Sequence, residues 1–231
     1  MLSKPINLAI VDDHTLFRKI LKDFISEKKD LNVIIESPDI PDLLRKLKDT
    51  HIDILVTDLF MPGINGFDAV KIVRNKYPDI KILVLSMCSD MNLLSDLLDL
   101  GVYGILSKAD EPDELIRAIT SICEHRIYRS DLFTEVMYWS KQIDIKTQVE
   151  SEDVTLNERE RKILELLWDE KSNKEIAGEL FLSVRSIEKM RQAMKEKLGI
   201  KSTVGLLKYA INKKIITPAP HATLRNSSYH V

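Results

Sequence analysis

The sequence predicts an α/β domain built on a five-stranded parallel sheet, followed by a smaller all-helical domain. Three observations predict it: short β-branched runs alternate with amphipathic segments through the first half, those runs are apolar almost without interruption, and they disappear after about residue 125. A strand with one wet face alternates apolar and polar residues, so a continuous run means cover on both faces. With helices between the runs, that is a parallel sheet of βαβ units.

The runs are "INLAIV" (6–11), "LNVIIE" (31–36), "DILVTD" (53–58), "IKILVLS" (80–86) and "VYGILS" (102–107). Between them lie helical patterns: Leu16, Ile20 and Phe24; Leu43, Leu44 and Leu47; and Leu93, Leu97 and Leu100. A further short helix, "DLFTEVMYWSKQI", leads into the polar stretch "DIKTQVESED", which has a linker's composition. Beyond it two capping boxes, Thr155 with Glu158 and Ser172 with Glu175, mark helix starts. Ser183 is a third N-cap candidate, and Gly199 follows its helix as a C-cap should. Ile163, Leu164, Leu167 and Trp168 share one helix face, Ile176, Ala177 and Leu180 a second, and Ile187, Met190, Met194 and Leu198 stripe a third. The short turn around "FLS" fits a helix-turn-helix. These shifts divide the chain into residues 1–125, a linker with a short helix over 126–153, a helical module over 154–217, and an aperiodic tail over 218–231, expected to be disordered.

Composition excludes several classes of protein. No apolar run approaches the roughly 20 residues of a membrane helix, and the first residues lack the apolar core of a signal peptide, which predicts a cytoplasmic protein with no membrane association. Two cysteines, Cys88 and Cys123, fit a reducing compartment, and the absence of CxxC, HExxH or clustered histidines gives no zinc signature. The net charge of −2 conceals an asymmetry: Thr155 to Pro218 carries 14 Lys and Arg against 9 Asp and Glu, a net of +5, and the remainder carries −7. An acidic body joined to a basic module implies different partners for the two.

The polar residues that interrupt the apolar runs fall at one end of them. Asp12 and Asp13 close the first, Asp58 the third, Ser86 the fourth, and Lys108 the fifth. In open α/β sheets the carboxyl ends of the strands form the site, so these residues converge on one crevice. Singly, each has a plain role as a turn, cap or solvated residue; together they form a set. Three carboxylates repel unless a cation lies among them, and hard oxygen donors point to Mg²⁺. Lys108 and Ser86 complete a set able to hold a phosphoryl group, and Asp58 is placed to accept one as an aspartyl phosphate.

On these residues the first 125 positions resemble the receiver domain of bacterial two-component response regulators. The resemblance implies a flavodoxin-like (βα)5 fold with strand order 2-1-3-4-5. It also implies phosphorylation of Asp58 by a histidine kinase or a phosphotransfer protein. Mg²⁺ would be organised by Asp12, Asp13, Asp58 and the backbone carbonyl of Phe60, and Ser86 and Lys108 would sense the phosphoryl group. The sequence departs from the family at Met87, where a small residue is usual, and at Ile105, the switch position, where Tyr or Phe is common. Phe60 and Met87 predict a crowded site with slow water access and a long-lived phosphoryl group.

"SNKEIAGELFLSVRSIEKMRQAMKEKLG" resembles the helix-turn-helix of LuxR-type regulators, within an all-α four-helix domain. The resemblance implies a DNA-binding transcription regulator, not a metabolic enzyme, that dimerises on phosphorylation. "GLLKYAINKKII" matches the last helix, which often mediates dimerisation in that family. Asn173, Lys174, Arg185, Ser186, Glu188, Lys189, Arg191, Gln192 and Lys195 are the DNA-contact candidates, the basic ones for phosphates and the polar ones for base edges. Glu188 stands where Lys is common and Met190 where His is common, which predicts an unusual sequence preference.

Overall fold

The computed structural model describes residues 5–87, 90–144 and 156–217. The first part alternates strand and helix: β1 (Ile6–Val11), α1 (Thr15–Ser26), β2 (Leu31–Ser37), α2 (Ile40–Lys46) and β3 (Ile54–Asp58), then a two-residue pair β4 (Phe60–Met61) and β5 (Ile64–Asn65). It continues through α3 (Gly66–Lys76), β6 (Lys81–Ser86), α4 (Met91–Asp99), β7 (Gly104–Ser107) and α5 (Pro112–Cys123). The five long strands are parallel in the order β2-β1-β3-β6-β7, which is 2-1-3-4-5 once the small β4-β5 pair is set aside.

Alternate residues of each strand feed two cores. Leu8, Ile10, Val56 and Leu85 pack with Ile25 of α1 and Leu115, Ile119 and Ile122 of α5 on one face. Ala9, Val11, Leu55 and Val84 pack on the other with residues of α2, α3 and α4. That two-sided cover is why the runs read as uninterrupted apolar sequence.

Helix α1 corrects the expected stripe. Leu16 and Ile20 are 73% and 56% exposed, while Phe17, Leu21 and Ile25 face the sheet. Two apolar stripes of identical spacing lie one residue apart on this helix, and only one can face inward.

The second part comprises α6 (Asp131–Asp144), α7 (Glu158–Trp168), α8 (Asn173–Glu179), α9 (Val184–Leu198) and α10 (Thr203–Asn212). Helix α7 starts later than the first proposed box implied: Asn157 is its N-cap and exchanges hydrogen bonds with Glu160, each 2.8 Å. Thr155, the 145–155 part of the linker and the tail over 218–231 lie outside the described residues. Ser172 and Glu175 form the second box, Ser183 caps α9, and Gly199 ends it with φ 66°.

Helix α6 is more than a tether. Phe133, Val136 and Met137 are fully buried against α4, β7 and α10, and the Ser130 hydroxyl donates to the carbonyl of Ile105 while accepting from Phe133 N–H. Helix α10 packs on α4 and α6 as well as on α7 and α9, and Lys208 Nζ donates to both carboxylate oxygens of Asp99 (2.7 and 2.8 Å) and to Ser95 Oγ (3.1 Å). The Arg129 guanidinium lies 4.4 Å from the Trp168 ring, and Arg129 N–H donates to Glu170. One continuous apolar core therefore joins the sheet domain to the helical module.

Candidate functional site

The carboxyl ends of β1, β3, β6 and β7 bring the predicted polar set together. Asp12 and Asp58 are 2% and 4% exposed, Ser86 is fully buried at the end of β6, and Asp13 is partly exposed at the rim. Lys108, just past β7, reaches across the strand ends, and its ammonium donates to Asp12 Oδ2 at 2.7 Å and Asp58 Oδ2 at 2.6 Å. Burial opposes that charge, but the hydrogen bonds to Asp12 and Asp58 outweigh it and raise the Lys108 pKa. The Phe17 ring lies 4.8 Å from the same ammonium. Charge-assisted bonds of this length from one cation to two carboxylates are the strong kind.

Local backbone aims each group. Asp58 Oδ1 accepts the N–H groups of Leu59 (2.6 Å) and Phe60 (3.3 Å), which pins that oxygen and leaves Oδ2 facing the crevice. Lys108 N–H donates to the carbonyl of Ser86 at 3.0 Å, tying the ends of β6 and β7 together. Phe60 and Met87 flank the mouth with side chains 55% and 70% exposed, and Ile105 lies fully buried in β7.

Carboxylate oxygens of Asp12, Asp13 and Asp58 and a ring nitrogen of His14 lie within 4.8 Å of one another, and Asp13 Oδ1 is buried with no hydrogen-bond partner. Three carboxylates gathered this closely, one with a buried oxygen that accepts no hydrogen bond, fit a hard dication. His14, which sequence reasoning passed over, stands 3.0 Å from Asp13 Oδ1. Its signal was its position directly after the acid pair.

The helix-turn-helix candidates separate into two groups. Lys174, Arg185, Glu188, Lys189 and Gln192 are exposed, whereas Ser186 is partly covered beside the α9 cap with its hydroxyl 2.8 Å from Ser183 Oγ. Arg191 does not share the exposed face: its guanidinium donates to Asn173 Oδ1 and, at 2.7 Å, to Thr203 Oγ1. Burial lowers its pKa, with Tyr103 and Glu188 opposing. Lys195 is also partly covered; burial, then Arg191 and Arg74, lower its pKa. Among the described residues no helix is long and apolar enough to cross a membrane.

Comparison with known proteins agrees with both halves. Residues 8–120 match the family model of the response regulator receiver domain, and residues 154–210 that of the bacterial regulatory proteins of the luxR family. The oxygen regulatory protein NreC of Staphylococcus epidermidis is 29% identical over 215 residues, covering 90% of this chain and 98% of that protein. Its Staphylococcus aureus counterpart is 28% identical over 218 residues, with the same coverage. Among solved structures, the RcsB response regulator of Salmonella typhimurium is similar at TM-score 0.57 and 25% identity, covering 89% of this chain and 98% of that one. A complex of RcsB with DNA gives TM-score 0.56 at 25% identity, covering 90% and 99%.

Proposed function

Since the chain belongs to the two-component response regulators that join a receiver domain to a LuxR-type DNA-binding domain, we propose that Asp58 is its phosphoacceptor and that phosphorylation controls transcription through α9. The observation that carries this reading is the single ammonium of Lys108 shared between Asp12 Oδ2 and Asp58 Oδ2 at the carboxyl edge of the sheet. It holds a cation beside the one carboxylate oxygen that faces the crevice. A phosphoryl group arriving there meets a nucleophile and a counter-charge together.

Asp58 Oδ2 attacks the phosphorus of a phosphohistidine donor, the new P–O bond forms, and the P–N electron pair leaves with the donor imidazole. Asp12, Asp13, Asp58 and the carbonyl of Phe60 would hold Mg²⁺, which when bound neutralises phosphoryl and carboxylate charge. Lys108 then exchanges a carboxylate oxygen for a phosphoryl oxygen, and Ser86 supplies a hydroxyl from the neighbouring strand end. The exposed Leu16 and Ile20 stand on α1, which begins three residues after Asp12, and give the kinase or phosphotransfer partner an apolar surface beside the mouth. Phe60 and Met87 at the rim slow the approach of water and so prolong the signal.

Release of α10 from α4 and α6 would free the helix for pairing in a homodimer, which presents two α9 helices to half-sites about one DNA turn apart. Lys174, Arg185, Lys189 and Gln192 contact DNA from the exposed face, while Arg191 braces Asn173. The protein would act in the cytoplasm. The test is incubation with acetyl phosphate and Mg²⁺ followed by intact mass and a DNA-binding titration at fixed salt. Gain of one phosphoryl group, lost in Asp58→Asn, supports the assignment; the same gain in Asp58→Asn removes it.

A further inference from the structure

Helix α9 carries two acids, Glu188 and Glu196, on the side that Arg185, Lys189 and Gln192 share, opposite the buried Ile187 and Met194. All five are exposed. Glu196 is engaged, since its Oε1 accepts from Gln192 Nε2 at 2.8 Å. Glu188 differs: among the described residues its carboxylate accepts no hydrogen bond and makes no ion pair. The neighbours one turn further along are committed elsewhere, Arg191 to Asn173 Oδ1 and Thr203 Oγ1, and Gln192 to Glu196. The helix thus presents one unengaged acceptor in the middle of its exposed side, between Arg185 and Lys189. We propose that Glu188 is a specificity residue of the DNA-binding module and that it selects cytosine, which rests on α9 acting as the recognition helix.

The hydrogen-bonding pattern of the bases selects the partner. An ionised carboxylate only accepts hydrogen bonds. In the major groove guanine shows O6 and N7 and thymine shows O4, all acceptors, so a carboxylate there meets only lone pairs. The donors are cytosine N4 and adenine N6. Adenine N6 lies between two acceptors, its own N7 and the O4 of the paired thymine. Cytosine N4 has one acceptor beside it, the O6 of the paired guanine, and a C5–H on its other side. The second carboxylate oxygen is therefore repelled less at cytosine than at adenine.

Electrostatics sharpen the choice. Phosphates repel an acid, so the carboxylate is stable only over the base edges, while Arg185 and Lys189 on the same side take the flanking phosphates. Entering the groove strips water from the carboxylate, and without a donor in the groove nothing replaces that hydration. Glu188 therefore acts as much by rejecting guanine and thymine as by attracting cytosine. Its charge also reaches His125 just beyond α5, where burial lowers the imidazole pKa and Glu188 opposes. A role confined to that contact would change affinity for every DNA sequence alike, whereas a base contact changes it at one position of each half-site.

The full chain, treated with acetyl phosphate and Mg²⁺, is used to select duplexes from a random-sequence DNA pool at fixed salt. A selected duplex and its single-base variants are then titrated with the wild type, Glu188→Ala and Glu188→Gln, each checked for folding by circular dichroism. The wild type should require cytosine at one position of each half-site, and guanine there should weaken binding by about tenfold or more. Glu188→Ala should bind all four bases at that position within about threefold of one another. Glu188→Gln, which adds a donor beside the acceptor, should move the preference to adenine, whose N6 and N7 match an amide. An unchanged base preference in Glu188→Ala overturns the cytosine contact, as does a change in affinity that is equal for all four bases. Selection of no DNA by the wild type overturns the recognition-helix reading itself, and is distinguished from those results because binding is then missing before any variant is compared.

Discussion

Replacing Lys108 with methionine, which keeps the length and removes the charge, measures what the ammonium does between Asp12 and Asp58. The side chains involved are 11%, 2% and 4% exposed, so solvent screens the interaction little. Taking away one member of a buried ionic set costs about 3–5 kcal/mol, because the remaining charges are left unpaired. For a chain of this size 1 kcal/mol moves Tm by about 2–4 °C, so Lys108→Met should melt about 10 °C lower in EDTA. Mg²⁺ should recover most of that loss, since it neutralises the same carboxylates.

The ammonium and the cation are thus competitors, and removing the first should tighten binding of the second. If Lys108 opposes Mg²⁺ by about 3 kcal/mol, the variant binds it about a hundredfold more tightly. Thermal melts of both proteins across a Mg²⁺ series decide the matter. The Mg²⁺-induced rise in Tm should be several degrees larger in the variant than in the wild type. An equal rise in both would refute the reasoning, because it would mean that ammonium and dication do not share oxygens.

Three further outcomes follow from other parts of the structure. A Cβ on Gly66 would lie 2.5 Å from the Leu59 carbonyl oxygen, so Gly66→Ala should cost about 1–3 kcal/mol by overpacking against backbone; it should also slow phosphorylation by shifting the N–H that pins Asp58 Oδ1, both read by denaturant melts and phosphoryl incorporation. Lys208→Ala removes a contact to an Asp99 that is 55% exposed, an interaction of at most about 1 kcal/mol, and should shift the docked population of α10 no more than about fivefold, measured by hydrogen exchange on α10. The Glu175 carboxyl is held below its usual pKa, chiefly by the backbone and hydroxyl of Ser172, with burial opposing. A depressed acid contributes stability above its unfolded pKa of about 4.3 that is lost as pH falls through the folded value. Ser172→Ala should therefore cost about 1 kcal/mol at pH 7 and flatten that part of the acid unfolding curve.

The elements that could be read in advance are those whose reason is local. The strands β1, β3, β6 and β7 announce themselves as apolar runs covered on both faces, and Asp12, Asp58, Ser86 and Lys108 were legible because each interrupts or ends such a run at the same edge. Features decided by tertiary contact were not legible. On α1 the stripes through Leu16 and Phe17 have equal spacing, and only the position of the sheet chooses between them. Around α6, polar neighbours read as a linker, yet Phe133, Val136 and Met137 find cover on α4 and α10 that no local pattern reports. Arg191 belongs to a basic helix and reads as a DNA contact until Asn173 and Thr203, 18 and 12 residues away, are seen to hold it. His51 and Cys123 are 72 positions apart in the sequence and line one cavity only because the start of β3 and the end of α5 lie at the same edge of the sheet. The two edges of the sheet therefore differ in kind. At the carboxyl edge the βαβ topology places every strand end in one crevice, and a polar residue there is visible in one dimension. At the amino edge the lining is assembled from the residues before the strands and after the helices, where His, Cys and Asp are ordinary, so a cavity there can be found only from the fold.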